Sequence, residues 1–338
     1  MRIIVDAMGG DYAPKQIIEG CVKAAEKVES EILLCGNENV IKQYLAEIGD
    51  KGSKIKIHAT TEVIESDDIP TKAIRSKKDS SMVVGLNLLK EEKGDVFISA
   101  GNTGALMAGA LFIVGRLDGV DRPALAPLLP SQKGPVLLVD AGSNANCRPE
   151  NLVQFAIMGS IYMQANLGIE NPKVGLVNIG SEEIKGTDLT KHAYELLQKA
   201  DINFVGNIEG RGIPLGEVDI AVCDGFVGNV ILKLMEGMGK TISQFLKEEI
   251  NKSFIYKFGG FLLMPVFKAF KKKMDYTEYG GALYLGINQP VIKCHGSSNA
   301  KAVMNAIIQA EGVVKSKIVE KIKENLAKYR SDSVETGK

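Results

Sequence analysis

The sequence predicts an α/β fold: an open, mostly parallel sheet with helices on both faces. Three observations carry this. Short apolar runs recur along the chain, nearly all end in a small residue and a glycine, and helical stretches lie between them. The runs cover 3–10, 31–37, 54–59, 95–102, 135–144, 173–181, 202–210, 218–228 and 290–298. They are continuously apolar rather than alternating, as strands covered on both faces require. The predicted helices are 14–29, 38–48, 71–91, 103–114, 150–167, 186–200, 227–250 and 299–326. Strand, glycine turn, helix, repeated, reads as a doubly covered sheet. Between them, 115–134 holds three prolines and reads as an ordered crossover. The chain is expected to be one α/β unit over 1–338, with two intimate lobes and a central cleft as the finer reading. Residues 315–330 read as an amphipathic surface helix, and 331–338 as a frayed tail.

Bulk composition narrows the function. Lys plus Arg and Asp plus Glu are both 41, so the net charge is zero. No whole-surface nucleic-acid coat is expected, and an anionic partner must meet a local patch. Five scattered Cys with no CxxC pair argue against a disulfide scaffold or zinc-thiolate site. The opening run MRIIVDAMGG is too short for a signal peptide. No apolar stretch approaches the ~18 residues of a spanning helix. A cytoplasmic chain is expected.

Gly makes up 36 of 338 residues, above a usual ~7 %. Glycine at the carboxyl ends of strands makes tight turns and lets backbone N–H groups approach a ligand. Helix N-termini face the same edge, which suits an anion. Turn-making alone explains any single glycine. It does not explain the polar residue beside glycine in turn after turn: Asp6, Asn102, Asp140, Asn144, Asp224, Asn229, His295 and Ser297.

Familiar nucleotide motifs fail. Gly101 and Gly104, or Gly210, Gly212 and Gly216, do not complete a dinucleotide fingerprint, and Gly239–Lys240–Thr241 lacks the first glycine of a phosphate loop because Leu234 stands there. Three His leave a His-based metal site improbable, and no cluster suggests two-metal chemistry; no resident metal or cofactor is expected, with a divalent ion between an Asp and a bound phosphate as the alternative. His295 stands apart, between a strand and a helix in CHGSSNA. It either contacts a phosphate or leaving group, or merely neighbours a helix capped by Ser298 or Asn299.

Residues 251–274 hold five of the 11 Phe, six Lys and no acid. Lys268, Lys271, Lys272 and Lys273 sit beside Phe258, Phe261, Leu262, Leu263 and Phe267. This reads as a protruding amphipathic helical hairpin whose tip meets a membrane surface. The alternative is a dimerisation arm, and both can hold.

Taken together, DAMGGDYAP at 6–14, SAGNTGALMAGA at 99–110, DRPALAPLLP at 121–130, DAGSNANCRPENLVQFAIMG at 140–159, VNIGSEEIKG at 177–186, CDGFVGNVILK at 223–233, YGGALYLG at 279–286 and HGSSNA at 295–300 resemble the bacterial phosphate acyltransferase of phospholipid synthesis, the PlsX family. Ser181 and Tyr284 depart slightly from that pattern. The resemblance implies transfer of a fatty acyl group from acyl carrier protein to inorganic phosphate, giving acyl phosphate. It implies a homodimer, peripherally membrane-associated, whose product feeds a membrane glycerol-3-phosphate acyltransferase. It implies a fold like that of phosphotransacetylase and of isocitrate/isopropylmalate dehydrogenases.

For such chemistry, the enzyme must hold phosphate beside a thioester carbonyl and stabilise the oxyanion. The backbone of Gly9, Gly10, Gly101 and Gly104, with Asn102 and Thr103, are candidate donors. Lys185 is the candidate cation, or else a surface lysine. Asn229 and His295 are candidates for the oxyanion or the leaving thiol. Asp6, Asp11, Asp140 and Asp224 would orient Lys, His or backbone groups, or bind the carrier protein's pantetheine arm, while Asn144, Gly225, Gly296, Ser297 and Ser298 complete the expected binding loops. Arg75, Lys77 and Lys78, with the Lys268–Lys273 cluster, are the options for docking an acidic carrier. Two rivals stand: a dehydrogenase on the related fold, and a non-enzymatic membrane scaffold.

Overall fold

The computed structural model describes residues 1–49, 54–274 and 276–335, apart from the side chains of 271–277 and those beyond 327. Its strands are β1 (Arg2–Asp6), β2 (Glu31–Gly36), β3 (Ile55–Ala59), β4 (Val96–Ser99), β5 (Ala124–Ala126), β6 (Leu128–Leu129), β7 (Val136–Val139), β8 (Val174–Asn178), β9 (Phe204–Glu209), β10 (Ile220–Val222), β11 (Ala282–Leu285) and β12 (Val291–Lys293). They divide between two sheets, ordered β3-β2-β1-β4-β12-β11-β5 and β6-β7-β10-β8-β9. Pairing is parallel except at β12–β11, β11–β5 and β6–β7. The sequence pattern therefore gave the parallel strands, and missed β5, β6 and β11. Each of these is two to four residues long and two lie inside the proline-bearing crossover, where no run is long enough to show a period.

That crossover joins the sheets. Only Pro127 separates β5, in the seven-stranded sheet, from β6, in the five-stranded one. The central strands are buried along most of their length, with Ile3, Ile4, Ile32, Leu34, Val96 and Phe97 inaccessible in the first sheet and Leu137, Leu138, Val174 and Ile220 in the second. Such burial on both faces is why the runs are continuously apolar.

Helices begin where capping chemistry dictates. The Asp224 carboxylate accepts from the N–H groups of Phe226 and Val227, at 2.9 and 3.0 Å, starting the helix Gly225–Asn251. Asn299 accepts from Ala302 N–H and starts Ala300–Lys315, so Asn299 rather than Ser298 is the cap. The predicted helix 71–91 is two, Pro70–Ser76 and Ser81–Lys90, the second capped by Ser80.

The segment 251–274 forms two short helices, Phe254–Leu262 and Met264–Met274, following the long helix Gly225–Asn251. Phe254, Phe258, Phe261, Leu262 and Leu263 are more than half exposed. The side chains of Lys271, Lys272 and Lys273 lie outside the described residues. The final helix runs from Ile318 to Glu335, covering most of the stretch read as frayed; 336–338 lie outside the described residues. Among the described residues no helix is long and apolar enough to cross a membrane.

Candidate active site

Parallel strands deliver their following loops to one rim, and three such loops meet in the first sheet. Gly9 packs so tightly that a Cβ would stand 2.4 Å from the Asp6 carboxylate and 2.8 Å from the Gly101 nitrogen. Gly10 has φ +115°, which favours glycine, and lies against Ala100 and the Gly296 carbonyl. Asp11 N–H donates to that carbonyl at 2.8 Å. The loops after β1, β4 and β12 are thus one unit. Asp6 is buried beneath them, accepting from Ser81 Oγ at 2.6 Å and Ser99 Oγ at 2.7 Å, while Ser99 Oγ accepts from Gly101 N–H.

Asp140 plays the matching part in the second sheet. It is wholly buried and accepts from the N–H groups of Leu125, Gly142, Ser143 and Asn144 and from Asn144 Nδ2. Burial pushes its carboxyl above the usual range, and these bonds oppose that shift. Asn144 Nδ2 also donates to the Pro123 carbonyl, and the Asn144 carbonyl accepts from Gly225 N–H. Asp140, Asn144, Asp224 and Gly225 therefore organise backbone.

Between the two units lies a cavity of about 310 Å³. Its apolar wall is Leu125, Pro127, Leu128, Leu129 and Leu232, from the crossover and the long helix. Its polar wall includes Thr103, Asn229, Lys233, Glu236, Lys293, His295 and Ser298. Asn229, Leu232, Lys233 and Glu236 share one face of the helix at spacings of three and four. Such a mixed lining suits a ligand with an anionic end and an apolar body.

His295 Nδ1 accepts the Ser297 N–H at 3.1 Å and lies 2.8 Å from Ser297 Oγ. That bond leaves the proton of a neutral ring on Nε2. Nε2 lies 3.6 Å from Glu236 Oε2 and 3.4 Å from Lys233 Nζ. Lys233 Nζ is 2.8 Å from Glu236 Oε2. Burial raises the Glu236 carboxyl, but the bonds to His295 and Lys233 outweigh it and hold the group below the usual range.

Of the residues singled out from sequence, Thr103, Asn229, His295, Gly296 and Ser298 line the cavity. Gly9, Gly10 and Gly101 stand in the packed loops behind it, and Ser297 holds His295. Asn102 does other work: Oδ1 accepts from Ala105 N–H, and Nδ2 donates to carbonyls of Glu65, Ser66 and Asp68. Gly104 meets Pro70 rather than the cavity, and Asp11 is exposed beside Gly296. Lys185 does not line the cavity. It belongs to the loop after β8, where its N–H donates to the Glu182 carbonyl and its carbonyl accepts from Asn178 Nδ2. That loop shares a rim with those after β7 and β10, one strand farther out. Sequence reasoning passed over Lys233, Glu236 and Lys293. The helical spacing from Asn229 could have found the first two. Among the described residues no group of three His, Cys, Asp or Glu side chains could hold a metal ion.

The fatty acid synthesis protein family model matches residues 1–321. Phosphate acyltransferases from Thermoanaerobacter pseudethanolicus and Clostridium botulinum are 54 % and 53 % identical, over 96 % and 99 % of this chain and 97 % and 100 % of theirs. Among solved structures, phosphotransacetylases from Streptococcus pyogenes and Staphylococcus aureus align with TM-scores of 0.64 and 0.59 at 15 % identity. They cover 93 % and 94 % of this chain and 94 % of each of theirs, a likeness of fold. With the family model matching residues 1–321 and phosphate acyltransferases more than half identical over nearly the whole chain, the chain belongs to the bacterial phosphate acyltransferases of the fatty acid synthesis protein family.

Proposed function

We propose that this enzyme moves a fatty acyl group from the thioester of acyl carrier protein to inorganic phosphate. The observation that carries the reading is the two-sided cavity, with Lys233, Lys293 and His295 facing a wall of Leu125, Leu128, Leu129 and Leu232. Phosphate is already nucleophilic near neutral pH, so positioning and oxyanion stabilisation supply the catalysis. A phosphate oxygen attacks the thioester carbonyl carbon, the C–S bond breaks, and the pair of electrons leaves with sulfur. The thiolate takes the Nε2 proton of His295 in its imidazolium form, which leaves the ring neutral; Ser297 and Glu236 orient that ring. Asn229, which lines the cavity from the first turns of the helix, donates to the carbonyl oxygen in this reading.

The acyl chain runs along the apolar wall toward the exposed arm of residues 251–274. That arm serves the homodimer, the membrane surface or both, and hands acyl phosphate to a membrane glycerol-3-phosphate acyltransferase. Lys72, Arg75 and Lys78 are exposed and suit an acidic carrier, whereas Lys77 is engaged by Asp68. The same reading extends the kinship of the fold to isocitrate/isopropylmalate dehydrogenases, which the two sheets flanking a cavity support. Lys185 and the loop after β8 remain a proposed outer contact for substrate. The test is incubation with acyl carrier protein thioester, with and without phosphate, following free thiol. Phosphate-dependent release of thiol and formation of acyl phosphate are expected; release independent of phosphate overturns the reading.

A further inference from the structure

We propose that Lys293 is a positioning residue for the acyl acceptor: its ammonium clamps the loop after β4 to the loop after β12 and sets a fixed positive charge behind the phosphate position. The inference rests on the phosphate acyltransferase reading above.

Lys293 ends a strand in PVIKC, where a strand buried on both faces calls for an apolar side chain. It is only 8 % exposed. Its Nζ donates to the carbonyls of Ala100 at 3.0 Å, Gly101 at 2.7 Å and Cys294 at 2.6 Å. Three acceptors match the three protons of an ammonium; a neutral amine has only two to give. Two of these carbonyls belong to the loop that Gly9 abuts and that leads to Thr103 on the cavity wall. The third opens the loop carrying His295 and Ser298. One nitrogen therefore sets the spacing of both loops.

A buried ammonium is costly to keep for packing alone, where Met or Leu would serve. The charged and titratable groups facing it are Asp6, Asp11, Lys233 and the Cys294 thiol. Desolvation brings its pKa down to about 8. An anion arriving in the cavity favours the charged form. Because the three protons are committed to carbonyls, Lys293 acts on phosphate through the loops and through its field rather than by direct contact.

The test uses full-length Lys293→Met in the thiol-release assay, varying phosphate and the acyl carrier thioester separately. The KM for phosphate is expected to rise at least tenfold, with the KM for the thioester within twofold. An unchanged phosphate KM, or an equal rise for both substrates, overturns the proposal. Should Lys293→Met fail to fold by circular dichroism, the wild-type enzyme decides. Sulfate, which does not titrate here, is measured as a competitor of phosphate from about pH 7.5 to about pH 9.5, above an ordinary histidine and below an ordinary lysine. Its inhibition constant is expected to rise at least fivefold across that range, and a flat profile overturns the proposal. Wild-type enzyme without phosphate-dependent thiol release instead overturns the functional reading, and this inference with it.

Discussion

The backbone at Gly228 lies against the main-chain carbonyl of Asp140, so that a Cβ there would stand 1.8 Å from the carbonyl oxygen. The long helix can therefore seat on the Asp140 loop only with glycine at that turn, and this contact places Asn229 and Lys233 at the cavity. Alanine raises intrinsic helix stability by about 1 kcal/mol. Overpacking costs about 1–3 kcal/mol and occasionally more, and a contact this short with a carbonyl falls at the upper end because a backbone atom cannot rotate away as a side chain can. The clash wins. Gly228→Ala is expected to lower the urea midpoint and abolish thiol release. Gly237, on the same helix, has nothing within 4 Å, and Gly237→Ala is expected to stabilise by about 0.5–1 kcal/mol. Equal effects at the two positions would sink this account.

His295 and Glu236 make a second pair with a kinetic signature. General acid catalysis is worth about 10²–10⁴-fold, so His295→Ala is expected to lower kcat at least a hundredfold. Glu236→Gln removes the carboxylate beside Nε2 and also uncovers the Lys233 charge. Its kcat is expected to fall while its phosphate KM drops, since the cavity becomes more positive. The carboxyl is held low in the folded protein. It therefore contributes stability that is present above its ordinary value and lost as pH falls through the folded one. Steady-state kinetics settle the point: a rise in phosphate KM for Glu236→Gln contradicts the assigned arrangement.

Most of the fold was legible because burial on both faces leaves a simple mark, a continuous apolar run closed by glycine. The division into two sheets was not, since β5 and β6 hold five residues between them and only Pro127 intervenes. At the site, glycines in the loops after β1 and β4 announced close backbone approach, and the CHGSS turn placed His295. The sequence could not say which polar residues face a ligand. Asn102 and Thr103 are neighbours, yet one ties down the loop at 65–68 and the other lines the cavity. Lys293 was invisible because a lysine ending an apolar strand looks like its exposed terminus, and only the fold shows the loops closing over it.

The buried thiols give a prediction about pH. Burial raises Cys21, Cys35, Cys223 and Cys294, the last from 9.0 to about 12. Between those values the unfolded chain has lost a proton that the folded chain keeps, so stability is full below about pH 9 and falls as pH rises toward the folded value. Lys293 works the other way between about 8 and 10.5, where the unfolded chain keeps the proton that the folded chain has lost. Four thiols outweigh one amine, and the urea midpoint is expected to fall from pH 9 to pH 10.5. At pH 8 a disulfide dye is expected to react slowly with the native protein, first at half-buried Cys147, and with all five thiols after unfolding. Rapid reaction of two or more thiols in the native state would contradict the burial described.

The arm offers the last prediction. Phe254, Phe258, Phe261, Leu262 and Val266 stand more than half exposed. Isolated exposed apolar residues are ordinary, but a contiguous group on one segment marks an interaction surface. Lys257 and Lys268 are on the same segment, and each lysine near an anionic leaflet adds about 1 kcal/mol. Phe261→Ser with Leu262→Ser is expected to abolish co-sedimentation with anionic vesicles while leaving thiol release from a soluble thioester within twofold. Neutral vesicles and high salt are expected to weaken wild-type binding, as a screened attraction must. If the double variant instead falls apart into monomers on gel filtration and still binds vesicles, the exposed face belongs to the dimer and the membrane assignment is lost.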